Sequence, residues 1–181
     1  MGNLIRDLRA EHTYMSEVLD LIEAQLDRIE AGEPPDYELL QDAVYFMTEY
    51  PDLFHHPREN LVYRRMMQRH RKHRSSVRAL EKDHARLGAL GLAFREVVED
   101  TVEDVPVERS ALLARGREYL DAQRGHIADE ETRIFPMVEE VLNDADWRAI
   151  DSTVSGAGPV GLREITRSRF RTLHDVLHGE A

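Results

Sequence analysis

The chain has 181 residues, with 24 basic and 35 acidic side chains, so its formal net charge is −11 at pH 7. This length suits one domain with a sizeable core, and the negative charge argues against general nucleic-acid binding, which needs local positive charge. The chain has no cysteine, which excludes disulfides and thiolate metal ligands.

Apolar residues recur every three or four positions in the first part of the chain and predict two long helices. The first helix starts near the N-terminus and ends at the breaker AGEPPD (31–36). Asp36 is expected to cap the second helix, which runs to about Arg69. That helix includes YPDLFHHPREN (50–60), where Pro57 predicts a local kink beside two histidines.

The rest of the chain continues the helical pattern. A third helix is expected from an N-cap at Ser75 or Ser76 to about Glu103, and a fourth from about Val107 to Leu142. A short segment capped by NDADW, a linker SGAGPVG and a final helix over about 162–177 follow. No alternating strand pattern of useful length is present.

These elements predict an all-α fold. Residues 1–142 are expected to form an antiparallel up-down four-helix bundle, because four long helices are joined by short connections. Residues 143–181 are expected to form a linker and an additional C-terminal helix that packs on the bundle or supports a homo-oligomer contact.

The sequence predicts neither a membrane nor a nucleic-acid partner. It has no apolar run of about 18 residues and no signal-like N-terminus, so a cytoplasmic location is expected. The basic run RRMMQRHRKHR (64–74) has few aromatic neighbours, which favours a solvated helix end over a nucleic-acid patch. His70 and His73 are assigned to that turn, and His174 and His178 are interpreted as an exposed pair.

The pattern H-x-x-x-E occurs twice, as His55 with Glu59 and as His126 with Glu130. Residues four apart lie on the same face of a helix, one turn from each other. Each pair can therefore present an imidazole nitrogen and a carboxylate oxygen to the same point.

Helix lengths bring single histidines of the other two helices to the same level. A helix rises about 1.5 Å per residue, and about 21 residues separate both His12 and His55 from the first turn. About 21 residues also separate both His84 and His126 from the turn near Val105. All four helices are therefore expected to bring one histidine to a common layer.

Imidazoles and carboxylates without thiolates suit iron or manganese better than a structural zinc site. Two carboxylates from diagonal helices can bridge two metal ions while the imidazoles occupy terminal positions. Six protein ligands leave two octahedral ions under-filled. The open positions can take dioxygen, peroxide, nitric oxide or water.

These residues resemble the hemerythrin-like HHE cation-binding family, whose pattern H … H-x-x-x-E … H … H-x-x-x-E covers roughly residues 1–142. The resemblance implies a non-haem di-iron centre with two bridging glutamates and an oxo or hydroxo bridge. It carries the ligand roles to His12, His55, Glu59, His84, His126 and Glu130.

Two positions depart from the oxygen-carrying hemerythrins that the chain resembles. Those proteins have a second histidine one turn from the first on helix three, where this chain has Leu80 and Gly88 around His84. One iron is therefore expected to be more open, which favours redox chemistry, sensing or iron handling over reversible oxygen carriage. Glu131 stands beside Glu130 as an alternative bridge, and Glu130 is preferred because its spacing mirrors that of Glu59.

Two neighbours of the motifs stay open at this point. His56 is three residues before Glu59 and is either a further ligand or a neighbour of the site. Tyr63, one turn beyond Glu59, is the tyrosine expected to donate a hydrogen bond near the metals or to act as a radical partner.

The function predicted from the sequence is that of a di-iron protein that binds or reacts with oxygen, peroxide or nitric oxide. Such a protein would serve in sensing or in oxidative and nitrosative stress. The alternatives are a di-iron enzyme with peroxidase or catalase-like activity, or an iron-handling protein.

Overall fold

The structure of the protein, a computed structural model, describes residues 3–155 and 168–179. Within these two ranges the chain is helical apart from short connections and contains no strand, which confirms an all-helical fold there. The helices are α1 (Asn3–Ala31), α2 (Tyr37–Tyr50), α3 (His56–Arg69), α4 (Arg74–Val102), α5 (Arg109–Asp129), α6 (Phe135–Val141), α7 (Asp144–Ser155) and α8 (Arg171–His178).

The connection between α1 and α2 follows the sequence prediction. Gly32 ends α1 with a φ of 77°, in the left-handed region that a β-carbon disfavours. Asp36 then caps α2, because its Oδ1 accepts a hydrogen bond of 3.0 Å from the backbone N–H of Leu39. The two prolines between them prevent the first helix from continuing.

Two π-helical turns stand directly before the prolines that the helices contain. They are Pro51–His55, which joins α2 to α3 ahead of Pro57, and Glu130–Ile134, which joins α5 to α6 ahead of Pro136. In both, the residue before the proline donates its N–H to the carbonyl five residues back, His56 to Pro51 and Phe135 to Glu130. A proline ring clashes with the carbonyl four residues back in an α-helix, and the wider turn avoids that contact. The distortion predicted at Pro57 takes this form.

The predicted N-cap of the third helix is wrong. A 3-10 turn, Arg71–His73, leads directly into α4 at Arg74, and no side chain caps that end. Ser75 and Ser76 lie inside the first turn of α4. Tighter 3-10 bonds occupy backbone groups that a cap would otherwise satisfy, as in the bond from His73 N–H to the carbonyl of His70 at 3.2 Å.

The long helices enclose a core that a polar layer divides in two. α1 packs against α2 and α5, and α4 packs against the same two helices. One apolar cluster includes Met15 and Phe94, and the other includes Leu8 and Phe135. His12 lies on α1 between Leu8 and Met15, so the polar layer falls at the boundary between the clusters.

The C-terminal elements dock on the outside of the long helices. α7 packs against α3 and α1, and α8 packs against α2, where Asp42 accepts a 3.0 Å hydrogen bond from the N–H of Thr172. The helical backbone is interrupted at Phe170 before α8. The predicted linker from Gly156 onward and the predicted start of the last helix near Leu162 lie outside the described residues. None of the helices in 3–155 and 168–179 carries an apolar stretch that would cross a bilayer.

Candidate metal centre

The structure brings all six predicted ligand residues together in the polar layer. They come from α1, from α4, and from the two segments in which α2 joins α3 and α5 joins α6. The two glutamate side chains are fully buried, and the histidine side chains are between 2% and 11% exposed. The residues are His12, His55, Glu59, His84, His126 and Glu130.

A first group of four residues converges between α1 and the two π turns. His12, His55, Glu59 and Glu130 each offer a ligand atom, and these atoms lie within 4.8 Å of one another. Glu59 Oε1 lies 3.1 Å from His55 Nε2, and Glu130 Oε2 lies 3.3 Å from His12 Nε2. The Nε2 atoms of His12 and His55 are 2.9 Å apart, so the two rings are aimed at one point.

A second group lies on the other side of Glu59. His56, Glu59, His84 and His126 also offer ligand atoms within 4.8 Å of one another. The His56 ring stacks on the His84 ring, with centroids 3.8 Å apart and an interplanar angle of 11°. Glu59 therefore belongs to both groups.

Glu130 also approaches both groups, although it is grouped with the first. Its Oε2 lies 3.3 Å from His126 Nε2, and its Oε1 lies 3.8 Å from His84 Nε2. The two carboxylates thus stand between the two sets of imidazoles.

Outer carboxylates fix the orientation of three of the five rings. Glu131 accepts from His12 Nδ1 at 2.8 Å, Glu11 from His55 Nδ1 at 2.8 Å and Asp52 from His56 Nδ1 at 3.0 Å. A carboxylate on Nδ1 places the proton there and leaves the Nε2 lone pair for a metal ion. Each of these three rings therefore has its Nδ1 held by a carboxylate, which leaves its Nε2 as the atom to bind a metal ion.

Several buried polar atoms of these groups make no hydrogen bond. Both oxygens of Glu59, Oε2 of Glu130, Nε2 of His84 and both ring nitrogens of His126 have no such partner. Leaving buried polar atoms unsatisfied is costly, and burying carboxylates without compensation costs more. A cation at the centre of each group would satisfy these atoms, so the residues present fit a metal pair.

The pKa shifts of two residues in the first group reflect the negative charge that is buried there. Burial alone lowers the pKa of His55, but Glu59 and Glu11 outweigh it and raise that pKa to about 10. Burial raises the pKa of Glu130, but the imidazoles of His12 and His84 outweigh it and hold that pKa well below its usual range. A proton on His55 thus compensates part of the charge that a metal ion would neutralise.

Comparison with known families fits this geometry. A family model described as the hemerythrin HHE cation-binding domain matches residues 3–138. The chain belongs to this family. No curated protein and no solved structure matches the chain.

Within this hemerythrin HHE domain, His56 is the residue that the sequence did not assign. The expectation of a more open metal position rested on Leu80 and Gly88, which flank His84 without offering an imidazole. The structure supplies an imidazole to that group from α3 instead. The signal was present in the sequence, because His56 is three residues from Glu59 on the same helix face.

The two candidate bridging acids, Glu130 and Glu131, lie in different surroundings. Glu130 points into the layer and is 0% exposed, whereas Glu131 lies outside both groups. Glu131 accepts hydrogen bonds from His12 and Arg9 instead. The two acids therefore approach opposite nitrogens of the His12 ring, Glu131 at Nδ1 and Glu130 near Nε2.

Tyr63 lies where the sequence predicts a hydrogen-bond donor. Its hydroxyl donates to Glu130 Oε1 at 2.7 Å, and its side chain is buried. Burial and the nearby Glu59 and Glu130 raise the pKa of Tyr63 well above its ordinary value, so the hydroxyl keeps its proton. The other histidines of the described residues lie outside both groups, and His70 and His73 occupy the turn before α4.

Proposed function

We propose that this hemerythrin HHE domain holds two iron ions in a non-haem centre that binds or reacts with oxygen, peroxide or nitric oxide. The observation that carries the proposal is the pair of ligand groups that share Glu59, with Glu130 close to both. His12 and His55 would bind one ion, and His56, His84 and His126 the other. Nitrogen and oxygen donors without sulfur suit iron.

The bound iron pair would supply one- and two-electron redox chemistry at its open positions. The protein contributes orientation, protons and shielding from water. Outer carboxylates hold His12, His55 and His56 with Nε2 facing the site. The Tyr63 hydroxyl keeps its proton and donates a hydrogen bond to Glu130. Glu59 and Glu130 are fully buried, so neither of these two carboxylates contacts bulk water.

The same proposal includes the arrangement of the helices. We infer an antiparallel bundle in which α1, α2 with α3, α4, and α5 with α6 run alternately up and down. The packing of α1 and α4 against the same two neighbours supports this, since it places α1 and α4 diagonally opposite.

Metal analysis of the purified protein tests the proposal. We expect two irons per chain, and we expect His126→Ala to lower that content because it removes an imidazole from the second group. His70→Ala is the matched control, since His70 lies outside both groups and should retain full metal content. An iron content that His126→Ala leaves unchanged would contradict the assignment.

Peroxide separates the two ways in which the centre could act. A binding or sensing protein would show an optical change with one equivalent of ligand and little turnover. A peroxidase or catalase-like enzyme would consume many equivalents, and His12→Ala and Glu59→Ala would abolish that consumption. No change in spectrum or peroxide level with iron-loaded protein would exclude both.

A further inference from the structure

A depression of about 380 Å³ lies between α4 and α5, and His126 forms part of its wall. The lining from α4 is Asp83, Arg86 and Leu87, and the lining from α5 is Glu118, Asp121, Ala122, Gly125 and His126. His126 is only 6% exposed, and neither of its ring nitrogens has a hydrogen-bond partner. A buried, unsatisfied imidazole therefore meets an open surface depression.

The charges of this depression favour a cation. Three carboxylates, on Asp83, Glu118 and Asp121, stand against the single guanidinium of Arg86. Within residues 3–155 and 168–179, none of these four side chains makes an ion pair or a hydrogen bond. Arginines on the neighbouring surface of α5 do pair, as Arg117 does with Asp27 at 2.5 Å. The acidic groups of the depression are thus left available to a mobile ion.

Gly125 keeps the depression open, although the packing around it leaves room for a side chain. A β-carbon there would meet no atom within 4 Å, whereas one at Gly116 would lie 2.6 Å from Leu26 and one at Gly91 would lie 2.9 Å from Thr48. Glycine inside a helix is destabilising relative to alanine. At this position the missing side chain leaves clear the surface directly beside His126.

The second group of ligands is also the less shielded one. In this group the side chains of His56 and His84 are 10% and 11% exposed and that of His126 is 4% exposed, against 3% for His12 and 2% for His55 in the first group. A separate enclosed cavity beside His56 holds only about 10 Å³, roughly the space of one water molecule. The α4–α5 depression is therefore the wider approach to this group.

We propose that the α4–α5 depression is the route by which divalent metal ions reach the centre. Asp83, Glu118 and Asp121 attract the hydrated cation, Gly125 leaves its path clear, and His126 is the first buried ligand that it meets. This inference rests on the proposed metal centre and adds how that centre is filled.

The rate of metal uptake tests the route independently of any activity. Metal-free protein is mixed with Co²⁺, whose visible absorption reports nitrogen and oxygen coordination, and the absorbance is followed by stopped flow. We expect Gly125→Leu to slow uptake about tenfold or more, because the new side chain would fill the mouth of the depression. Gly125→Ala should change the rate less than about threefold and raise the midpoint of thermal unfolding by about 2 °C.

Charge removal gives a second test that does not add bulk. Glu118→Gln with Asp121→Asn should slow uptake severalfold and weaken its dependence on ionic strength, because cation steering is electrostatic. Glu96→Gln with Glu103→Gln is the matched control, since it removes the same charge from exposed positions of α4 or its end, far from His84. The final amount of bound Co²⁺ should be equal in all variants.

The outcomes separate the route from the centre. If wild-type protein binds no Co²⁺, the proposed centre itself is wrong. If it binds Co²⁺ but Gly125→Leu and the double charge variant take it up at the wild-type rate, the route is wrong and the centre stands. If Gly125→Leu does not fold, the charge variants alone decide.

Discussion

Glu59 is the residue at which the two ligand groups meet. A residue three or four positions along a helix returns to nearly the same face, at roughly 300° or 400° of rotation. Glu59 is four residues after His55 and three after His56, so its direction falls between theirs. The adjacent histidines can therefore serve opposite sides of one carboxylate.

We expect His56→Ala to remove one metal ion of the two. The variant loses one of three imidazoles from the second group, whereas His12 and His55 are untouched. Metal content measured by elemental analysis after dialysis should fall from about two ions per chain toward one. His73→Ala is the control because His73 lies in the turn before α4, and a His56→Ala protein that retains two ions would show that His56 is only a neighbour.

How much of the site the sequence predicts depends on which residue carries the information. The depth of each helix predicts the positions of His12, His55, His84 and His126, because a rise per residue is all that this argument needs. The role of His56 depends instead on rotation about the helix and on Pro57, whose π turn changes that rotation. Spacing alone leaves it open.

At the level of elements, the two π turns let the helical chain continue through the polar layer without a break. Each proline would break a regular α-helix, yet the residues before them keep helical dihedrals, with φ of −57° at His56 and −62° at Phe135. The predicted run from Asp36 to Arg69 is therefore three pieces placed end to end. Propensity predicts a distortion at Pro57 but does not say that a wider turn absorbs it.

Asp146 anchors α7 through charge, and this gives a pH dependence with a definite sign. Its fully buried carboxylate accepts from Arg65 at 2.7 Å and Arg69 at 2.9 Å. The hydrogen bond from Arg69, more than any other contact, lowers the pKa of Asp146 to about 2. Because the folded-state pKa is depressed, the stabilisation is present above the ordinary pKa near 4 and is lost as pH falls toward 2.

The chain's single tryptophan, Trp147, follows Asp146 and is 6% exposed, so its fluorescence reports the docking of α7. We expect the emission to shift to the red between pH 4 and 2. Asp146→Asn should shift the emission already at neutral pH and cost about 1 kcal/mol, since solvent screens the half-exposed arginines. An unchanged acid transition in Asp146→Asn would show that other carboxylates control it.

For the whole molecule, the metal pair should stabilise the fold by linking helices that otherwise pack through two separate apolar clusters. The two ligand groups together draw on α1, α3, α4 and α5, so a pair of ions bound there would contact all four helices at the boundary of the clusters. An unfolded chain has no such site, and binding free energy becomes folding free energy.

We therefore expect a chelator to lower the thermal stability of the loaded protein. An ion present at 100 times its dissociation constant contributes about 2.7 kcal/mol, which for a domain of this size is roughly 5–10 °C in the unfolding midpoint. Calorimetry with and without chelator measures the shift. His126→Ala should show a much smaller shift, and an equal shift in the two proteins would place the stabilising ion elsewhere.

The sequence predicts which residues form the core better than it predicts where each helix begins. Long amphipathic helices fix the core, since Leu4, Leu8, Leu19 and Ile22 are buried as their spacing requires. The start of α4 was missed because backbone bonds of a 3-10 turn replace the serine cap, and local sequence does not show which of the two forms.

The first ligand group is closed on its outer side. The His12 ring lies flat on Phe135, with centroids 5.2 Å apart, and Arg9 ties Glu131 to Glu139 beyond it. An ion held by the first group would leave either through the site of the second group or after α1 had separated from α6. The two ions would then have unequal residence times. If loaded protein were mixed with a second isotope of the metal, the ion in the second group would exchange first, and the protein would carry one atom of each isotope.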